Sequence, residues 1–197
     1  MTLYQKFCKR TFDILFSFLG LVLFSPLMAV GYLIAAWSTK QGGFFKQARV
    51  GRGGKLFQVI KLRTMKNIPG IDTTVTTKKD PRITKGGTFL RRFKIDELPQ
   101  LRNVLKGEMS FVGPRPDVPG FADKLVGEDR MILSLRPGIT GPATIKYKNE
   151  EEILAGQQDP DAFNRDVIWP DKVKINREYI ENYSFFRDIY YIFRTFL

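Results

Sequence analysis

From Ile14 to Trp37 the chain runs 24 residues without a charged side chain. That is enough for a membrane helix, which needs about 20 residues. A Ser-Pro pair, Ser25 and Pro26, falls at the middle of the run. Pro26 removes a backbone donor and crowds the carbonyl of Val22, so a helix there bends or breaks, while Ser25 can re-satisfy a freed backbone group. The 12 residues from Ile14 to Ser25 make roughly 18 Å of helix, near the depth of one leaflet of a ~30 Å core. Lys6, Lys9 and Arg10 precede the run and Lys40, Lys46, Arg49, Arg52 and Lys55 follow it, so both flanks favour the cytoplasm. Two readings stay open: a kinked spanning helix, or a helix that turns at Ser25-Pro26 and returns to the face it entered.

After Trp37 the period shortens. GFFKQARV and KLFQVIKLRTM read as strands joined by GRGG at Gly51 to Gly54, which predicts a β-hairpin. On its second strand Phe57, Val59, Lys61 and Arg63 share one face and Leu56, Gln58, Ile60 and Leu62 the other. Residues 66–86 are polar and aperiodic and read as a mobile loop. GTFLRRFKIDELPQLRNVLKGEMSF then holds two helical pieces: Phe89 and Phe93 lie one turn apart in the first, and Leu98, Leu101, Val104 and Leu105 stripe the second, with Gly107 as its stop. Pro99 cannot sit deep in a helix, so the second piece begins just before it and puts Asp96 and Glu97 at or near its N-terminus. Further helical pieces are predicted around 119–127, 148–155, 160–168 and 172–182. The closing SFFRDIYYIFRTFL carries Phe185, Phe186, Tyr190, Tyr191, Phe193 and Phe196, too many aromatics for one buried stripe; tyrosines mixed with arginines suit a helix in the headgroup zone as well as one packed on the core.

Charge sharpens this picture. The 197 residues carry 32 Lys and Arg against 20 Asp and Glu, a net +12. Residues 38–115 alone hold 18 bases and 5 acids, which is +13, so this region should meet phosphates, anionic lipid or nucleic acid. There is no histidine, which removes the commonest general base and metal ligand, and Cys8 is the only cysteine, which excludes an internal disulfide. Proton transfer and metal binding then fall to carboxylates. No small-residue cleavage site follows the apolar run, so it is not read as a removed signal peptide. Asp96-Glu97 at a helix start suits capping and the helix dipole. The same position has exposed backbone donors that favour an ionised carboxylate and an incoming phosphate, where a carboxylate can bind magnesium or attack phosphorus.

The run DPRITKGGTFLRRFKIDELPQLRNVLKGEMSFVGPRP, from Asp80 to Pro116, resembles the signature of the bacterial sugar transferase family, monotopic phosphoglycosyl transferases that load a sugar phosphate onto polyprenol phosphate. KRTFD at Lys9 to Asp13, the Ser-Pro pair, QARVG, KLRTM and RPGITG agree in order, over residues 4 to about 145 and more loosely beyond. The resemblance implies a re-entrant helix broken at Ser25-Pro26, holding the active site at the cytoplasmic face of the bacterial inner membrane. It implies that Asp96 is the nucleophile, forming a covalent phosphosugar with loss of UMP, and that Glu97 helps bind Mg2+ or handles the acceptor's proton. Arg91 matches a phosphate-contacting arginine, and Arg115 the region that holds the nucleotide; Lys61, Arg63 and Arg136 match basic positions. Two departures stand out. Lys94 replaces a common serine or threonine, and PATIKYKNEEEIL follows RPGITG where the family often continues toward LAQVNGRN. Longer relatives also carry spanning helices ahead of the catalytic part.

The expected fold is therefore α+β and mostly helical, with a re-entrant broken N-terminal helix over 1–38 and a cytoplasmic catalytic domain over 39–197 holding a small β-hairpin and interfacial amphipathic helices. The expected activity is transfer of a sugar 1-phosphate from a UDP-sugar to polyprenol (undecaprenyl) phosphate, with membrane lipids but not nucleic acid as partners, as the first step of surface glycoconjugate assembly. A membrane-anchored basic module for nucleic acid or anionic lipid is the alternative; a magnesium-dependent transferase that moves the sugar alone would release UDP.

Overall fold

The structure is a computed structural model and describes residues 1–71, 76–77, 80–195 and 197. Helix α1, Leu3–Thr39, starts at a capping box in which Thr2 and Gln5 bond each other's backbone, and ends at Lys40 in the left-handed conformation. It is bent by 64° between Leu3–Leu23 and Ser25–Thr39. At the bend the Ser25 hydroxyl donates to the carbonyl of Val22 at 2.8 Å, the bond needed where Pro26 leaves that carbonyl without its helical donor. No single helix among the described residues is long and apolar enough to cross a membrane, and this bent pair passes that test only as a pair.

One face of α1 is buried at Asp13, Ser17, Gly31 and Ala35, while Leu15, Phe18, Leu19, Val22, Leu23, Leu33 and Trp37 stay exposed. The buried face is held by polar clips. Lys9 Nζ lies 2.5 Å from Asp188 Oδ2, Arg10 donates to the carbonyls of Val104 and Leu105, and Asp13 Oδ1 accepts from Ser110 Oγ and Phe111 N–H. Two of the N-terminal bases are thus committed to contacts within the protein.

The hairpin forms as expected, β1 (Phe44–Val50) antiparallel to β2 (Leu56–Leu62), with Val50 facing Leu56 across the GRGG turn. Both faces of β2 are covered: Val59 packs with Val104 and Met109, and Leu62 with Ala35, Leu90 and Ile95. The ends of the 66–86 loop are tied rather than loose, since Met65 bridges Ile83 and Lys66 N–H bonds the Arg82 carbonyl; residues 72–75 and 78–79 lie outside the described residues. Helix α2, Lys85–Arg92, is capped by Thr84 and lies so close to the segment after β2 that a Cβ at Gly87 would lie 2.0 Å from the Thr64 carbonyl oxygen. Helix α3, Gln100–Lys106, stops at Gly107 with φ 84°. Its buried Asn103 bonds Gln58, Ile60 and Glu108 and docks it on β2.

The acidic pair does not cap α3. Lys94, in the left-handed conformation, turns the chain into a separate 3-10 turn, Ile95–Glu97, and Pro99 opens α3 without a side-chain cap. A short parallel pair, β3 (Ser110–Val112) with β4 (Gly138–Thr140), follows. The expected helix at 119–127 is replaced by 3-10 turns at Ala122–Lys124 and Gly127–Ser134, because Gly120 and Gly127 adopt positive φ and interrupt it. Beyond lie α4 (Pro142–Lys146), α5 (Glu150–Ala155), α6 (Pro160–Phe163) running into a π-turn, α7 (Trp169–Glu181) and α8 (Phe185–Arg194). Helix α8 packs on the core along one face and leaves aromatics exposed on the other. Its buried Asp188 accepts from Tyr179 and Tyr183 and Phe185 packs on Phe12, while Phe186, Tyr190 and Phe193 face outward; Phe196 lies outside the described residues.

Candidate active site

Asp96 and Glu97 sit side by side on the 3-10 turn, yet their surroundings differ. Glu97 Oε1 accepts from Arg115 Nη2 at 2.6 Å and from Lys61 Nζ at 3.1 Å. Burial alone would raise the Glu97 carboxyl, but Arg115 and Lys61 outweigh it and hold the group well below the usual carboxylate range. Asp96 is 9% exposed and its carboxylate accepts no hydrogen bond, although neither oxygen is sealed from solvent. Burial first, then the neighbouring Glu97 charge, push it up to about 6, against the pull of Lys61, Arg91 and Lys94. One carboxylate is locked and ionised; the other is unbonded and titrates near neutrality.

The cations are brought in from separate elements. Lys61 comes from β2, and burial lowers its pKa despite Glu97. Arg115, in the loop after β3, is raised by the Glu97 charge and also donates to the Ile139 carbonyl. Arg91, from the last turn of α2, influences Asp96 and Asp80 but bonds Glu151 of α5. The other two expected bases are not brought to the pair. Arg63 donates to the carbonyls of Gly42 and Phe44, and Arg136 to the Gly107 carbonyl, where it stands beside Arg10 and closes the C-terminus of α3. Ser25 and Pro26 lie at the bend of α1, where they shape the helix.

Sequence reasoning passed over a second ring of charge. Arg49 on β1 is half-buried and pushed down to about 10, first by desolvation and then by Arg115. Asp117 is pushed up to about 6 by burial against Lys172, Arg49 and Arg115. Lys172 Nζ bonds both Glu150 oxygens at 2.7 and 2.8 Å, and Asp171 accepts from Lys146 and Tyr147 at 2.6 Å each. Arg49 stood inside QARVG and Asp117 directly after PRP, so motif position was an available signal for both. Glu150, Glu151 and Lys172 carry no such signal, because only the fold brings α5 and α7 here. A groove of about 600 Å3 beside Trp169 and Arg177 shares no residue with the pair. Among the described residues no group of three or more His, Cys, Asp or Glu side chains is placed to hold a metal.

An unbonded carboxylate among Lys61, Arg91 and Arg115 is a charge arrangement able to take a phosphate ester. The bacterial sugar transferase model matches residues 4–197, and the chain belongs to that family. It is 46% identical over 121 residues to a Bacillus subtilis protein provisionally named as an undecaprenyl-phosphate N-acetylgalactosaminyl 1-phosphate transferase, covering 61% of this chain and 68% of that protein. It is 32% identical over 203 residues to the exopolysaccharide production protein ExoY of Rhizobium meliloti, covering 95% and 83%. With the undecaprenyl-phosphate galactose phosphotransferase of Salmonella typhimurium it shares 35% over 211 residues, 97% of this chain but 40% of that longer protein.

Proposed function

We infer that this chain transfers a sugar 1-phosphate from a UDP-sugar to undecaprenyl phosphate in two displacements through Asp96, and releases UMP. It is a phosphoglycosyl transferase by its family, whose relatives carry that activity in their names. The observation that carries the two-step route is the unbonded Asp96 carboxylate among Lys61, Arg91 and Arg115. In the first step an Asp96 oxygen bonds the β-phosphorus, the bond from that phosphorus to the bridging oxygen breaks, and the electron pair leaves on UMP. In the second, a phosphate oxygen of the acceptor attacks the same phosphorus and Asp96 departs as carboxylate. Arg91 and Lys61 would balance the charge on the transferring phosphoryl oxygens, and Arg115 that on the departing nucleotide. Arg91 can do so only after leaving Glu151.

The donor set fits Mg2+ in its usual manner, through one or two carboxylates with waters and substrate phosphates completing the shell: Asp96 is unbonded, and Glu97 uses a single oxygen, Oε1, on its cations. When bound, the ion would neutralise diphosphate charge and favour UMP as leaving group.

The bend at Ser25-Pro26, the bases on both flanks and the exposed apolar face support a re-entrant α1 that keeps residues 39–197 on the cytoplasmic side, with α8 at the headgroups. There the soluble donor and the lipid-borne acceptor meet. The product, a polyprenol-diphosphate sugar, would start a surface polymer. Incubating solubilised protein with Mg2+, undecaprenyl phosphate and a panel of UDP-sugars tests the reaction. UMP is expected; UDP would mean that the sugar moves without its phosphate, and neither nucleotide would leave a binding module.

A further inference from the structure

Among the charges around the Asp96-Glu97 pair, every cation near Asp117 already has partners. Arg49 donates to Gln47 Oε1 through Nε and Nη2 and to the Pro116 carbonyl through Nη1. Arg115 is held by Glu97 and the Ile139 carbonyl, and Lys172 by Glu150. The Asp117 carboxylate bonds none of them and accepts no hydrogen bond, yet its backbone is fixed, since Val50 N–H donates to its carbonyl at 2.8 Å. It is half-buried, and the hollow it lines with Arg115 has room for about one water, so a ligand would meet the carboxylate from its solvent side. A half-buried carboxylate left without a donor calls for an explanation.

We propose that Asp117, with Lys172 and Glu150 beside it, is the hydroxyl-reading subsite of the donor, its two oxygens accepting from a vicinal hydroxyl pair on the ribose or on the transferred sugar. Three features favour this ligand. A carboxylate with two free oxygens is the acceptor that such a pair requires. The position is two residues from Arg115, which bonds Glu97, so a ligand whose phosphates lie at Asp96 reaches Asp117 with its hydroxyl-bearing part. The neighbouring Lys172-Glu150 pair offers both a donor and an acceptor for a further hydroxyl.

The proposal rests on the reaction inferred above, and its test separates the two. Wild type, Asp117→Asn and, as a second variant, Lys172→Met are compared for melting temperature, KM and kcat across UDP-sugars epimeric at single hydroxyls, and direct binding of UMP. With folding unchanged, Asp117→Asn is expected to raise donor KM about tenfold with little change in kcat, the scale of one hydrogen bond to a charged group. An unchanged UMP affinity with narrowed discrimination between epimers would assign the hydroxyls to the sugar; a UMP affinity weakened equally would assign them to the ribose. Unchanged KM, UMP affinity and donor ranking overturn the proposal. If wild type uses no UDP-sugar, the inferred reaction fails instead, and the UMP arm still decides the ribose assignment. In that arm, undiminished binding by Asp117→Asn and Lys172→Met counts against the subsite.

Discussion

The two sides of the charged centre use similar residues to opposite ends. On the side built by β2, the Ile95–Glu97 turn and the loop after β3, Lys61 and Arg115 converge on Glu97 and leave Asp96 unbonded. On the side built by α4, α5 and α7 the charges close on partners, Lys172 on Glu150 and Lys146 on Asp171, and Glu151 reaches across to Arg91. The first side leaves one carboxylate unbonded by committing its neighbours to the other. The second is a set of closed ion pairs, from the largely buried Lys172–Glu150 to the more exposed Lys146–Asp171.

The strongest way to break this contrast is Asp96→Asn. Turnover should fall by at least about 10³-fold, as when a nucleophile is removed. The melting temperature should not drop. A carboxyl whose folded pKa is raised to about 6 favours the folded state while protonated and loses that advantage as pH rises through about 6, so at neutral pH the neutral amide is no worse. Glu97→Gln acts on the same side with the opposite sign on stability. Its depressed pKa contributes stability present above the ordinary glutamate value and lost in acid, so the variant should melt lower at pH 7, with Lys61 and Arg115 left unpaired, and turn over about 10²-fold more slowly.

Next in size is the pH profile. Protonation of Asp96 should lower kcat/KM about tenfold per unit below about pH 6, a limb that assays from pH 5 to 8 would reveal. The smallest effect belongs to the second side. Glu151→Gln frees Arg91 for the donor and should lower donor KM roughly two- to fivefold with kcat nearly unchanged; a higher KM would show that Glu151 positions Arg91 rather than competing for it.

The parts legible in the sequence are those that local chemistry determines. Alternation with GRGG specified the 44–62 hairpin, Gly107 ended α3, and the Ser25-Pro26 pair marked the bend. The start of α3 was misread because Pro99 fixes where an α-helix can begin but not whether a 3-10 turn precedes it. A three-residue parallel pair such as β3–β4 is too short to have a readable period. Arg63 and Arg136 match motif positions, yet their guanidinium groups bond carbonyls that the fold happens to expose nearby. Which carboxylate of the pair is free depends on Lys61 and Arg115, 36 and 18 residues from Glu97 in sequence, and no local pattern encodes that.

The most direct test of the account is to mix the protein with a UDP-sugar in the absence of acceptor and read the mass of the tryptic peptide from Ile95 to Arg102. The two-step route predicts one equivalent of UMP and a phosphosugar added to that peptide at Asp96, lost on adding undecaprenyl phosphate. An unmodified peptide, with UMP appearing only when acceptor is present, would contradict it and mean that the acceptor attacks the donor directly.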